Sequence, residues 1–265
     1  AAHRRTPVAR RVAGWRRQPG YPGSERRATS AVHHSYDTLR ATRSCPLEAA
    51  TTYSPCVVTA PVTSIHDLIE RLETEAAADV DPATTPDVGI VMGSDSDLET
   101  MAGAVEALST LGFAEQTDFE APPDARFTYE SYVVSAHRTP ELMVAYGETA
   151  ADRGIDVIVA GAGGKSADLP NMTASIAYPI PVIGVPVQEK SVDSVIGMPT
   201  GAPIVAVDAG KSFNAGLSAA QILAREHGWL EDQLVEYHDA LVSDVAATSA
   251  SLHDDGVDAF RDGSA

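Results

Sequence analysis

The chain has 265 residues, 44% of them hydrophobic, which is enough to bury a core in one domain with tails. Its net charge of −18 hides a division: residues 1–60 carry ten arginines against three acids, a net of +7, while the rest carries nine basic and 34 acidic residues, a net of −25. So strong an acidic field repels nucleic acid and anionic membrane, and neither is expected as a partner of the folded part.

In chain order, residues 1–61 are rich in Arg, Ser, Thr, Pro and Gly and show no sustained period, which predicts a disordered basic tail. A nucleic-acid arm or an Arg-rich targeting peptide is the functional alternative. The plainer reading, a flexible tail or translated upstream sequence that the native protein lacks, is favoured because composition breaks sharply near Ala60. No apolar run is long enough for a secretory signal or a membrane span, so a cytoplasmic protein is expected. Cys45 and Cys56 both lie in this tail, so the folded part owes nothing to disulfides, and two cysteines at that spacing make a poor zinc site.

Residues 62–86 read as a helix and a linker. Ser64 caps a helix with Ile65, Leu68, Ile69 and Leu72 on one face, expected to pack on the outside of the domain or on a neighbouring subunit, and Asp79 to Pro86 is polar. The domain proper spans 87–228. Val88 to Met92 is an uninterrupted apolar run, as a parallel strand covered on both faces requires. A helix follows over Leu98 to Leu111, with Met101, Val105, Leu108 and Leu111 inward, then a loop from Phe113 to Thr128. Strands at Tyr132–Val134, Val157–Val159, Val182–Val185 and Ile204–Val207 alternate with helices at 140–153, 171–177 and 213–226. That alternation predicts a five-stranded parallel sheet between two helical layers, a three-layer α/β/α sandwich. Over 229–265, Leu230, Leu234, Tyr237, Leu241 and Val245 form one stripe on a long helix, expected to meet another subunit, and Asp254 onward reads as an acidic frayed tail.

In an open parallel sheet, ligands bind beyond the carboxyl ends of the strands. Three loops of unusual chemistry fall there: Gly93-Ser-Asp-Ser-Asp97, Ser135-Ala-His-Arg-Thr-Pro140 and Gly161-Ala-Gly-Gly-Lys-Ser166. Gly93 lets backbone approach a ligand, and Ser94, Ser96 and Asp97 stand at a helix start suited to phosphate, the lesser alternative being an ordinary capped turn. Asp95 and Asp97 without a third acid are a weak magnesium site. Gly164-Lys165-Ser166 resembles part of a nucleotide phosphate loop, but that motif needs glycine at position 159, which is Val159. Beside Ser135 and Arg138 at a strand end, His137 is a candidate acid/base, since imidazole titrates near neutrality.

At these residues the chain resembles the PurE family, the carboxyaminoimidazole ribonucleotide mutases and aminoimidazole ribonucleotide carboxylases of purine biosynthesis. The matching stretches are 91–97, 133–140, 158–164, Leu169-Pro170 and 182–187. The resemblance implies a flavodoxin-like fold, a homo-octamer, a ribonucleotide substrate with CO2 as intermediate, and no metal or organic cofactor. It also implies that Ser94, Ser135 and Arg138 hold the phosphate, Asp97 the ribose hydroxyls, and that His137 is the acid/base. Glycines such as Gly163 and Gly164 would let backbone lie against the flat ring.

Departures accompany the likeness. Bacterial mutases usually have Gly-Gly-Ala-Ala-His-Leu-Pro-Gly-Met, whereas this chain has Gly163-Gly-Lys-Ser-Ala-Asp-Leu-Pro-Asn-Met172, one residue longer, with Asp168 in place of a histidine. The Gly-Lys-Ser piece and Ala177-Tyr-Pro179 lean toward the class that takes free CO2, while Ser135-Ala-His-Arg138 leans toward the mutases, which are favoured. The 114–128 insertion has no functional account. A noncatalytic nucleotide or flavin module is the alternative from another class, because fold alone permits it. The acid surplus, with three lysines in the whole chain, further suggests a salt-rich cytosol, where counterions screen self-repulsion.

Overall fold

The computed structural model describes residues 64–263. The tail expected over 1–61, with both cysteines, lies outside the described residues. Six strands form one sheet: β1 (Val88–Met92), β2 (Ala114–Glu115), β3 (Thr128–Val133), β4 (Val157–Ala162), β5 (Val182–Pro186) and β6 (Val205–Ala206), in the order β2-β3-β1-β4-β5-β6, all paired in parallel. The expected five strands are therefore corrected to six. The extra one, β2, lies in the stretch read as a loop and pairs only Ala114 and Glu115 with Thr128 and Tyr129. With that short edge strand set aside, the order is that of a flavodoxin-like sheet, whose ligand crevice opens where strand order reverses beside the first strand.

The helices are α1 (Ile65–Ala77), α2 (Leu98–Thr110), α3 (Pro140–Thr149), α4 (Leu169–Ile176), α5 (Val192–Ile196), α6 (Ser212–Ala224) and α7 (Gly228–Gly263). Period-two alternation divides the strand residues between two cores. Val88, Ile90, Met92, Val157, Val159, Ile183 and Val185 face α2 and α6, while Val91, Ile158, Ala160 and Val182 face α3 and α4. Glycine sets the approach of α2 and α6, since a Cβ on Gly216 would stand 2.6 Å from the Ala104 carbonyl oxygen. Helix α1 begins with a reciprocal cap: Ser64 Oγ accepts from the Asp67 amide at 3.3 Å and Asp67 Oδ2 accepts from the Ser64 amide at 2.8 Å. Its apolar face, with Leu72 fully buried, packs on α3 of the same chain.

Helix α7 runs on through Asp254, where a frayed tail was expected, to Gly263, broken at Gly256, where φ is 78° and ψ is 164°. Leu230 is buried, and Leu234 and Tyr237 pack on the domain's own core. Farther along, Leu241, Val242, Val245 and Leu252 are exposed. Among the described residues no helix is long and apolar enough to cross a membrane.

Candidate active site

The carboxyl ends of β1, β3, β4 and β5 open on one cleft of about 480 Å³. All seven residues singled out as catalytic or substrate-binding line it: Ser94, Asp97, Ser135, His137, Arg138, Gly163 and Gly164.

Each loop is shaped by local bonds. After β1, the Ser94 side chain accepts from the Ser96 amide at 3.1 Å and caps a short 3₁₀ turn over Asp95–Asp97. The turn carries Asp97 inward, where it is 7% exposed, while Asp95 stays in solvent. Burial raises the Asp97 carboxyl above its usual range, and the backbone amides of Ser94 and Gly163, with the charge of Arg138, partly counter it. Gly163 fits because a Cβ there would stand 3.0 Å from Asp97 Oδ1, and Gly164 because its φ of 87° suits glycine.

After β3, the Ser135 amide donates to Thr139 Oγ1 at 2.8 Å and the Thr139 amide donates to the Ser135 carbonyl at 2.9 Å. This closed turn holds His137 and Arg138 with their side chains diverging. Arg138 Nη2 donates to the Gly93 carbonyl at 3.0 Å and its Nε to Ser135 Oγ at 3.3 Å, joining the first two loops. His137 Nε2 instead lies 3.0 Å from Asp168 Oδ2, on the far side of the cleft. One loop thus holds a guanidinium against the loop after β1 and an imidazole against the loop after β4.

Sequence reasoning did not assign Gln188 and Lys190, which enter from a fourth loop after β5. The rule that located the other three loops applies equally to that strand end. Asp168 was noted only as a departure, and its contact with His137 depends on two loops 31 positions apart in sequence. Among the described residues no three His, Cys, Asp or Glu side chains gather where they could hold a metal ion. Among the described residues no Phe, Tyr or Trp side chain lines the cleft.

Residues 87–244 match the AIR carboxylase family. An N5-carboxyaminoimidazole ribonucleotide mutase of Synechocystis sp. is 42% identical over 184 residues, covering 67% of this chain and 96% of that protein. The mutase of the same name from Mycobacterium tuberculosis is 44% identical over 173 residues, covering 63% of this chain and 90% of its own. A phosphoribosylaminoimidazole carboxylase of Schizosaccharomyces pombe is 47% identical over 150 residues, which are 54% of this chain but 24% of that longer protein. Among solved structures, Treponema denticola PurE superposes with a TM-score of 0.52 at 24% identity, covering 63% of this chain and 98% of its own, a likeness of fold.

Proposed function

The chain belongs to the AIR carboxylase family, and from that premise we propose that it converts N-carboxyaminoimidazole ribonucleotide into the isomer carboxylated on ring carbon 4. The observation that carries the reading is the divergence of two neighbouring side chains in the cleft: Arg138 turns toward Gly93 and Ser135, and His137 toward Asp168. A ribonucleotide laid along the cleft, with its phosphate near Ser94, Ser135 and Arg138, would bring its base to His137 and the glycines of the third loop.

The chemistry then follows. The carbamate C–N bond breaks, CO2 departs, and its electron pair returns to the exocyclic nitrogen, which takes a proton from His137. The freed amine pushes electrons into the ring, carbon 4 forms a bond to the retained CO2, and His137 takes the proton that carbon 4 loses. One proton leaves His137 and one returns, so the enzyme ends unchanged and the reaction is an isomerisation. Holding CO2 next to the ring replaces an encounter in dilute solution, which is where orientation contributes most.

The names of the most similar proteins support the mutase over a carboxylase using free CO2. A flavin module has no support, for among the described residues no Phe, Tyr or Trp lines the cleft to stack on an isoalloxazine. A homo-octamer goes with the reading, supported by the exposed apolar positions of α7, and a salt-rich cytosol by the acid surplus. The deciding experiment supplies the enzyme separately with the carbamate and with aminoimidazole ribonucleotide plus bicarbonate. Faster initial turnover of the carbamate supports the mutase. Faster turnover of the second pair would make the protein a direct carboxylase.

A further inference from the structure

We propose that Asp168 is a positioning residue for His137: it accepts the proton on imidazole Nε2, fixes that tautomer, and leaves Nδ1 as the nitrogen that gives and takes the reaction's proton. This rests on the reading of His137 as the acid/base.

An ionised carboxylate only accepts hydrogen bonds, so the nitrogen 3.0 Å from Asp168 Oδ2 must be the one bearing hydrogen. In a neutral ring the other nitrogen then carries the lone pair. Asp168 is itself held. It sits at the N-cap of α4 yet makes no side-chain cap to that helix, the usual use of aspartate there. Its second oxygen, Oδ1, accepts from Ser194 Oγ on α5 at 3.0 Å. Ser194 is anchored in turn, because its carbonyl accepts from Asn171 Nδ2 at 2.6 Å. With one oxygen given to Ser194 and the other to His137, the carboxylate plane has a defined orientation.

The network also unites two differences from the bacterial pattern: Asp168 stands where that loop has histidine, and Asn171 where it has glycine. One difference supplies the acceptor for His137 and the other fixes the group behind it. The remaining charged groups lining the cleft are Arg138 on the same loop, Asp97 from the first loop and Lys190 from the fourth. Arg138 is bonded to Gly93 and Ser135, and Asp97 faces the backbone of Ser94 and Gly163. The His137 and Asp168 side chains are 60% and 41% exposed, and an ion pair so open contributes little to stability. Its removal should leave the fold intact while freeing the ring.

The test uses the full chain, labelled with ¹⁵N in its histidines, of which there are eight; His137→Asn identifies the His137 signals by difference. In wild type, with the ring neutral, the shifts should report hydrogen on Nε2. Asp168→Ala should give a mixture of tautomers and reduce kcat by about tenfold to a hundredfold, with KM within about threefold, the scale of losing a group that orients a reacting partner. Asp168→Asn, which keeps an acceptor, should recover part of kcat, and Ser194→Ala should lose about threefold by loosening the carboxylate. Hydrogen on Nδ1 in wild type, or an unchanged tautomer in Asp168→Ala, overturns the proposal whatever the activities. A rise in KM at constant kcat would make Asp168 a substrate-binding group and overturns it as well. If His137→Asn stays active, the acid/base reading fails, whereas the tautomer measurement still answers whether Asp168 holds the ring.

Discussion

Arg153, with no exposed surface, places Nη1 2.7 Å from Glu130 Oε1 and 2.8 Å from Oε2 within β3, and the same nitrogen lies 3.5 Å from Glu75 on α1. Its guanidinium carbon stands 4.8 Å from the centre of the buried Tyr146 ring. Burial opposes the Arg153 charge most strongly of any single effect, but Glu130, Tyr146 and Glu75 together outweigh it and raise the group above its ordinary value. Removing one member of a buried pair strands the other, a loss of about 3–5 kcal/mol, whereas replacing both with apolar groups is often near neutral. Arg153→Ala should therefore lower the urea midpoint sharply, and Arg153→Met with Glu130→Leu should recover most of it. If the double variant were as unstable as the two single losses summed, the pair would not be a coupled unit.

Asp97, the proposed ribose contact, is held at some expense of stability. Its carboxyl is raised by burial above its ordinary value of 3.8, so the folded state binds its proton more tightly than the unfolded chain does. The folded state is then relatively more stable below the unfolded value and loses that advantage as pH rises through the folded one. Asp97→Asn should melt at or above the wild-type temperature at neutral pH, with the difference disappearing below pH 3.8. It should also raise KM, since the proposed ribose contact is lost. A variant that melts lower at neutral pH but not in acid would reverse the assigned sign.

His137→Asn tests the chemistry itself. Ribonucleotide affinity should stay within about tenfold while turnover falls by about a hundredfold or more, the scale of a positioned proton transfer. Equal loss of affinity and turnover would instead make His137 part of the binding surface.

The three rim loops were legible because each is contiguous, and a parallel sheet brings all its strand ends to one side. Strand β3 was less so. Its segment Thr128-Tyr-Glu-Ser-Tyr-Val133 places Glu130 where an apolar residue would be expected, and only Tyr132 onward looked like a strand. Glu130 is tolerated because Arg153 neutralises it, a long-range contact with no local signature. Strand β2 pairs too few residues to leave a pattern. The end of α7 looked like a frayed acidic tail because its composition is polar, although a second helical stretch follows the break at Gly256 and needs no apolar face.

The outer part of α7 concerns assembly. Leu241 and Val245 lie one turn apart, 46% and 70% exposed, beyond the turns that pack on the core. A row of this kind is commonly covered by another subunit. Leu241→Glu with Val245→Glu should reduce the mass measured by light scattering while thermal unfolding of the domain persists. If the mass is unchanged, self-association does not run through this face.

The last prediction separates phosphate holding from proton transfer. Arg138 bridges two loops, donating to Gly93 O and Ser135 Oγ, so a bound phosphate would have to share or replace those partners. The planar guanidinium can keep one donor on the protein and offer others to phosphate oxygens, whereas an ammonium retains the charge and loses the fork. Arg138→Lys should accordingly raise KM more than it lowers kcat. Arg138→Ala should affect both, because a ribonucleotide loose at its phosphate also loses alignment at the ring. The dephosphorylated nucleoside provides the control: on that substrate wild type and Arg138→Ala should be nearly alike. A gap as large there as on the ribonucleotide would mean that Arg138 supports the loop carrying His137 rather than the phosphate.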